Sequence, residues 1–190
     1  MTDGGPVVVS YNSNWPVLAA RALEALKAPF SGLATRFEHI GSTAIPHMAA
    51  KDVLDLQISV LDLGGIVDSV AIPLRLLGFE QSPYESDHIP AGTVDSPENW
   101  AKRLWLRRTP DEAAVNLHVR RSGAPNERLA LLFRDWFRGH PAAVPAYASF
   151  KKSLAGLCPD IEVYSDIKDP VVDVVIAGAE EWASSTGWRP

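Results

Sequence analysis

The segment Val53–Val60 constrains the fold more than any other stretch of the chain. Leu54, Leu56, Ile58 and Val60 point one way and Val53, Asp55, Gln57 and Ser59 the other, the period of two that marks a β-strand. The apolar row is unbroken, so that side must lie on a hydrophobic layer. The other row carries an acid, an amide and a hydroxyl, groups that burial penalises unless partners meet them. A sheet with one oily face and one polar, chemically equipped face is the architecture this segment asks for.

The neighbouring segments supply the rest of such a fold. Val7-Val8-Val9 reads as a short opening strand. Asn14 is a candidate N-cap with Pro16 just inside a helix, and Trp15, Leu18, Ala22 and Leu26 give that helix an apolar stripe that ends at Pro29. Thr35 to Ile40 reads as a strand, followed by a Gly-Ser turn and an irregular stretch to Asp52. Ile66 to Leu77 reads as a helix containing Pro73 and ended by Gly78. Ser82 to Asn99 holds three prolines and several acids, and is predicted to be a long surface loop that covers a cleft as a lid. Lys102–Arg108 and Ala113–Arg120 flank Thr109-Pro110-Asp111-Glu112 and predict an antiparallel hairpin. Leu129, Leu132, Phe133, Trp136 and Phe137 predict a helix packed on the sheet. Val144 to Leu157 predicts another, and Val172, Val175, Ile176, Ala179 and Trp182 a C-terminal one. The reading is one α+β domain over 1–190, with a mixed sheet in 1–121 and a helical part in 122–190.

Composition narrows the function classes. The chain of 190 residues is 46% hydrophobic and 22% charged, values of an ordinary globular domain. A net charge of −5 disfavours bulk attraction to nucleic acid or to anionic membranes. The single cysteine, Cys158, cannot form an internal disulfide. Met1 to Pro6 is polar where a secretory leader needs an apolar run, and no window is long and apolar enough to span a bilayer. The expected location is the cytoplasm.

The strongest chemical signal is His39-Ile40-Gly41-Ser42, followed by Asp55-Leu56-Gln57 on the next strand. A Gly-Ser turn after a strand exposes N–H groups and a hydroxyl to phosphate oxygens. A carboxylate on the adjacent strand can hold Mg²⁺ against those oxygens. The plainer reading is a tight turn with Asp55 paired to a structural base. The five histidines lack zinc-ligand spacing, and there is no Gly-x-Ser-x-Gly elbow, Walker A loop or dinucleotide fingerprint.

The run His39-Ile40-Gly41-Ser42-Thr43-Ala44-Ile45-Pro46, with Ala50-Lys51 and Val53-Leu54-Asp55-Leu56-Gln57-Ile58-Ser59-Val60, resembles the signature of the GrpB family. Agreement extends to Val9, Tyr11, Trp15, Asn116-Leu117-His118-Val119, Leu132-Phe133-Arg134-Asp135, Tyr147 with Lys151, and Tyr164 with Lys168, so it spans nearly the whole chain. His47 and Asp52 depart from it, standing where the family usually has Gly and Pro. The resemblance implies a nucleotidyltransferase-like fold, in which Gly-Ser and a pair of carboxylates bind a nucleotide and its metal. Gly41, Ser42 and Asp55 match, whereas Gln57 occupies the place of the second carboxylate.

The function so implied is Mg²⁺-dependent nucleotidyl transfer to a small acceptor. Gly41 and Ser42 would hold phosphate, Asp55 the metal, and His118 would orient or deprotonate the acceptor. Lys51, Gln57, Arg103 and His39 would line the ligand site. The alternative is a module that binds a nucleotide or phosphorylated metabolite without chemistry, or assists a partner, as GrpB-like domains fused to dephospho-coenzyme A kinase suggest. Arg134-Asp135 is expected to clamp helix to sheet, and Tyr147 and Lys151 to pack their helix.

Overall fold

A five-stranded mixed sheet organises the chain, in a computed structural model that describes residues 5–190. The polar start at Met1–Gly4 lies outside the described residues. The strands are β1 (Ala34–Ile40), β2 (Leu54–Val60), β3 (Phe79–Gln81), β4 (Lys102–Arg107) and β5 (Val115–Arg121), in the spatial order β1-β2-β5-β4-β3. Helices α1 (Trp15–Leu26), α2 (Ile66–Leu76), α3 (Pro125–Gly139), α4 (Val144–Ala155) and α5 (Ile161–Thr186) surround it. The α+β class and the mixed sheet agree with the sequence reading.

The pairing of β2 with β5 is the one parallel contact of the sheet and the one that makes the site. Its register sets Asp55 beside Asn116, Gln57 beside His118 and Ser59 beside Arg120. Parallel neighbours need a crossover connection, which α2, β3 and β4 supply. The opposite parity places Leu54, Leu56 and Ile58 beside Val115, Leu117 and Val119. That apolar face packs on α1 through Trp15, Ala19, Ala22 and Leu26 and on α2 through Ile66, Val70 and Leu74, all buried.

Helix α3 covers the polar face, and with the opposite polarity from the expected one. The residues it turns to the sheet are polar: Glu127 accepts from Ser59 Oγ, its backbone oxygen accepts from Gln57 Nε2 at 3.3 Å, and Arg134 donates to Glu38 at 2.6 Å and to the His39 carbonyl at 3.1 Å. Its apolar residues pack elsewhere. Phe137 joins Ile45, Met48, Val144 and Tyr147, while Leu132 meets Ala179 and Ala183 of α5. Polar residues on β2 and β5 thus find hydrogen-bonding partners on α3, which removes the penalty of covering them.

Two other elements differ from expectation. Val7–Val9 makes a single bridge, Val9 to Ala50, because no second residue of the segment pairs. Helix α5 begins at Ile161, a full three turns before Val172, with Asp160 Oδ1 capping it by accepting from Val163 N at 2.9 Å. Pro170 sits inside it; it is exposed, as is Asp166, whose carbonyl loses its partner and can turn to water. The two departures from the family pattern are also accommodated. His47 keeps the left-handed conformation of a turn glycine, with φ of 64°, and Asp52 Oδ1 accepts from the Trp15 indole at 2.7 Å.

Candidate functional site

A cleft of about 380 Å³ lies on the polar face, between the sheet, the 41–53 turn, α3, α4 and α5. Its floor is a chain of donors directed at one carboxylate. Asn116 Nδ2 donates to Asp55 Oδ1 at 2.8 Å, and Arg108 donates to the Asn116 amide oxygen. His118 Nε2 stands 3.6 Å from the same Asp55 oxygen. Burial alone would raise the Asp55 carboxyl, but His118, Asn116 and the Lys51 charge hold it down at about 2, so it is ionised at neutral pH. His118 is lowered by burial and by the Arg120 charge, and is neutral. Arg120 Nη2 lies 3.3 Å from His118 Nδ1. Arginine only donates, so Nδ1 must be the acceptor and the proton sits on Nε2, facing Asp55.

The turn after β1 forms one end of the cleft. Gly41 adopts φ of 67°, and a Cβ there would stand 2.4 Å from Asp55 Oδ2. Only glycine lets the carboxylate lie against the turn. Ser42 Oγ accepts from Lys151 Nζ at 2.8 Å. Lys151, on α4, is 2% exposed, lies over the Tyr147 ring, and has no ion-pair partner among the described residues. Burial, with Lys168 and Lys51 nearby, lowers its pKa to about 7 despite Asp55. Lys51 is lowered by burial too, and Lys168, paired with Asp169 at 2.9 Å, completes a group of three lysines at this end.

The far wall is apolar, with Leu129, Phe133, Val172 and Ile176 along α3 and α5. The loop from Ser82 to Asn99 closes the top, and two of its anchors border the cleft. Asp87 receives Arg120 at 2.7 Å, Lys102 at 2.7 Å and Asn126 at 3.0 Å; burial would raise its carboxyl, but Arg120 and Lys102 hold it far below the usual range. Asp173 of α5 accepts from His88 Nε2 at 3.0 Å and from the Ala91 backbone at 2.9 Å.

Of the residues singled out from the sequence, Gly41, Ser42, Lys51, Asp55 and His118 meet in this cleft. Three do not. Gln57 is fully buried beneath it, its amide oxygen held by Arg120. His39 belongs to the other parity of β1, where Nε2 pairs with Thr43 Oγ1 at 2.9 Å; burial lowers its pKa to about 4, so it is a neutral brace for the turn. Arg103 pairs across the sheet with Val119, on the face away from the cleft, and donates to the Lys102 carbonyl. Lys151 and Asp87, central to the geometry, were not singled out for it. Lys151 had a legible signal, since it interrupts the buried stripe Val144, Tyr147, Leu154 on α4.

The donor set offers Mg²⁺ one open carboxylate oxygen at most, Asp55 Oδ2. That ion takes oxygen ligands in octahedral array, usually one or two carboxylates with phosphates. Here Asp55 Oδ1 already accepts an amide proton, both Asp87 oxygens are bound to bases, and the charged neighbours that act on Asp55 are basic. Among the described residues no three His, Cys, Asp or Glu side chains converge to hold a metal.

An α+β domain with one open mixed sheet and a cleft on its polar face that gathers lysines at one end is the class that fold and site define. Within it the chain belongs to the GrpB protein family, whose sequence pattern matches residues 6–177. It is 34% identical to a dephospho-CoA kinase of Mycolicibacterium paratuberculosis, over 96% of this chain and 48% of that protein. It is 30% identical to the UPF0157 protein YqkA of Bacillus subtilis, over 92% of this chain and 47% of that one. The chain therefore spans about half the length of these relatives. The crystal structure of the conserved protein GrpB from Enterococcus faecalis superposes with a TM-score of 0.74 at 24% identity, covering 93% of this chain and 99% of that one, which shows the shared fold. No helix among the described residues is long and apolar enough to cross a membrane.

Proposed function

We propose that the cleft binds a nucleotide-like or otherwise phosphorylated small molecule, its phosphate held by Ser42, Lys151 and Lys51 without a bridging metal. One observation carries this reading: Lys151 is a buried ammonium with a hydroxyl for a partner and no carboxylate. An unpaired buried charge destabilises a fold, and an anion arriving from solution is the counter-charge it lacks. The kinase name borne by the Mycolicibacterium relative supports a nucleotide-like ligand class. Asp55, ionised beside the turn, would accept a hydrogen bond from a hydroxyl or amine of the same ligand. Nucleotidyl transfer is the weaker reading. His118 has its one free lone pair committed to Arg120, which leaves it an orienting donor and a poor base for an acceptor hydroxyl.

Thermal shift in EDTA tests the proposal with pyrophosphate, ATP and adenosine. At ten times its dissociation constant a ligand adds about 1.4 kcal/mol, roughly 3–6 °C for a chain of this size. Pyrophosphate and ATP should produce that rise, adenosine should not, and Lys151→Gln and Ser42→Ala should remove it. A rise that appears only when Mg²⁺ is supplied, and that survives Lys151→Gln, would overturn the reading.

A further inference from the structure

We propose that the ligand carries an extended apolar arm beyond its phosphorylated head, and that this arm runs under the His88–Pro90 strap into a second chamber. This rests on the phosphate reading above and specifies its substrate class. The second chamber, of about 330 Å³, adjoins the first and shares Pro90, Trp100, Leu129, Asp173 and Ile176 as walls. Either space alone is at the lower end of the roughly 300–1,000 Å³ of small-molecule sites, and together they accommodate a longer molecule.

The chemistry of the second chamber selects an apolar arm over a second phosphate. Its one base, Arg128, is already paired with Glu180 through its two terminal nitrogens, Nη1 and Nη2, and lies over the Trp188 ring. Asp173, at the junction, has its oxygens engaged by His88 and the Ala91 backbone. Neither charge calls for a partner. What remains is mostly hydrocarbon, continuous with the apolar wall of the first chamber and starting opposite the lysine end. A ligand anchored by phosphate at Ser42 and Lys151 would therefore lay its next atoms along Leu129 and Ile176 and meet the second chamber at its far end.

Calorimetric titration with inorganic phosphate, ethyl phosphate and octyl phosphate tests this, using wild type, Ala177→Trp and Val174→Trp. Ala177 is exposed on α5 and lines only the second chamber, so a tryptophan there narrows it without disturbing the core. Val174 is exposed nearby and lines neither space. Octyl phosphate should bind at least about tenfold more tightly than ethyl phosphate, a gain that burial of only two of its six extra methylenes would supply. Ala177→Trp should erase most of that gain while leaving ethyl phosphate within about twofold, and Val174→Trp should keep it. Equal affinity for the two esters, or a gain that survives Ala177→Trp, overturns this inference while leaving phosphate binding in place. Ethyl phosphate binding that ignores Lys151→Gln overturns the phosphate reading and this inference with it.

Discussion

Replacing Lys151 by Met separates a buried charge kept for binding from one kept for structure. The ammonium donates to Ser42 Oγ and lies over the Tyr147 ring, and its pKa falls from 10.5 to about 7 because burial strips it of water. Between pH 7 and 10.5 the unfolded chain holds a proton at this position that the folded chain has released. Stability therefore rises with pH across that window. Below about pH 7 both states hold the proton, and the full penalty of burying the charge is present. A displacement of that size corresponds to roughly 4–5 kcal/mol, at about 1.36 kcal/mol per unit. Methionine fills a similar volume but gives up the hydrogen bond, about 1 kcal/mol, and the ammonium–ring contact, about another 1 kcal/mol.

Lys151→Met should therefore be more stable than wild type at pH 7, by about 2 kcal/mol net. Urea denaturation at pH 7 and pH 9.5 measures it, and the advantage should shrink by roughly 3 kcal/mol at the higher pH as wild type sheds its proton. The same variant should lose the thermal shift with pyrophosphate. A Lys151→Met protein that is less stable than wild type by more than about 1 kcal/mol at pH 7, with a gap that does not move with pH, would refute the argument. The lysine would then be a structural tie between α4 and the turn.

Gly41→Ala should cost at least about 2 kcal/mol, since the left-handed backbone alone costs about 1–2 kcal/mol and the new methyl collides with the Asp55 carboxylate; a denaturant midpoint unchanged from wild type would contradict this. Asp87→Ala leaves Arg120 buried without its carboxylate and should cost about 3–5 kcal/mol, with limited proteolysis cutting first within 82–99, a segment the intact latch protects. His47→Gly relieves a positive φ but adds freedom to the unfolded chain, so the net gain should be about 0.5–1 kcal/mol, read as a rise of a few degrees in melting temperature.

The sequence carried β2, β5 and the first helix because each has one clean period, and the hairpin through its turn at Thr109-Pro110-Asp111-Glu112. It could not carry the facing of β1 and β4. In β1 the apolar residues Phe37 and Ile40 have opposite parity, so alternation does not say whether His39 faces core or cleft. In β4, Leu104, Trp105 and Leu106 are apolar on both faces, and Arg103 is equally unassigned. The answer for both came from register with β2 and β5, a long-range property. Asp87 was illegible for another reason: its partners Arg120, Lys102 and Asn126 are 15 to 39 residues away, and no local pattern links a loop aspartate to them. The polarity of α3 shows the same limit from the other side. A count of apolar residues located its stripe, but the sheet face it had to meet was polar, so the stripe turned to α4 and α5.

That polar face also explains how a site with one free carboxylate stays ordered. Arg120 faces His118 Nδ1, the proton is thereby fixed on Nε2, and Nε2 faces Asp55, which Asn116 holds from the other strand. Gln57 is the residue that permits this, because its neutral amide oxygen accepts from Arg120 without competing with Asp87 for the guanidinium charge. A second carboxylate at position 57 would draw Arg120 away from Asp87, loosening the latch on the 82–99 loop. On the proposed reading, an anion settles at Lys151 and a hydrogen-bond donor of the same ligand settles at Asp55. The donors around Asp55 have already fixed its ionised state, and an anion at Lys151 favours that lysine's charged form, so binding requires no rearrangement of the floor.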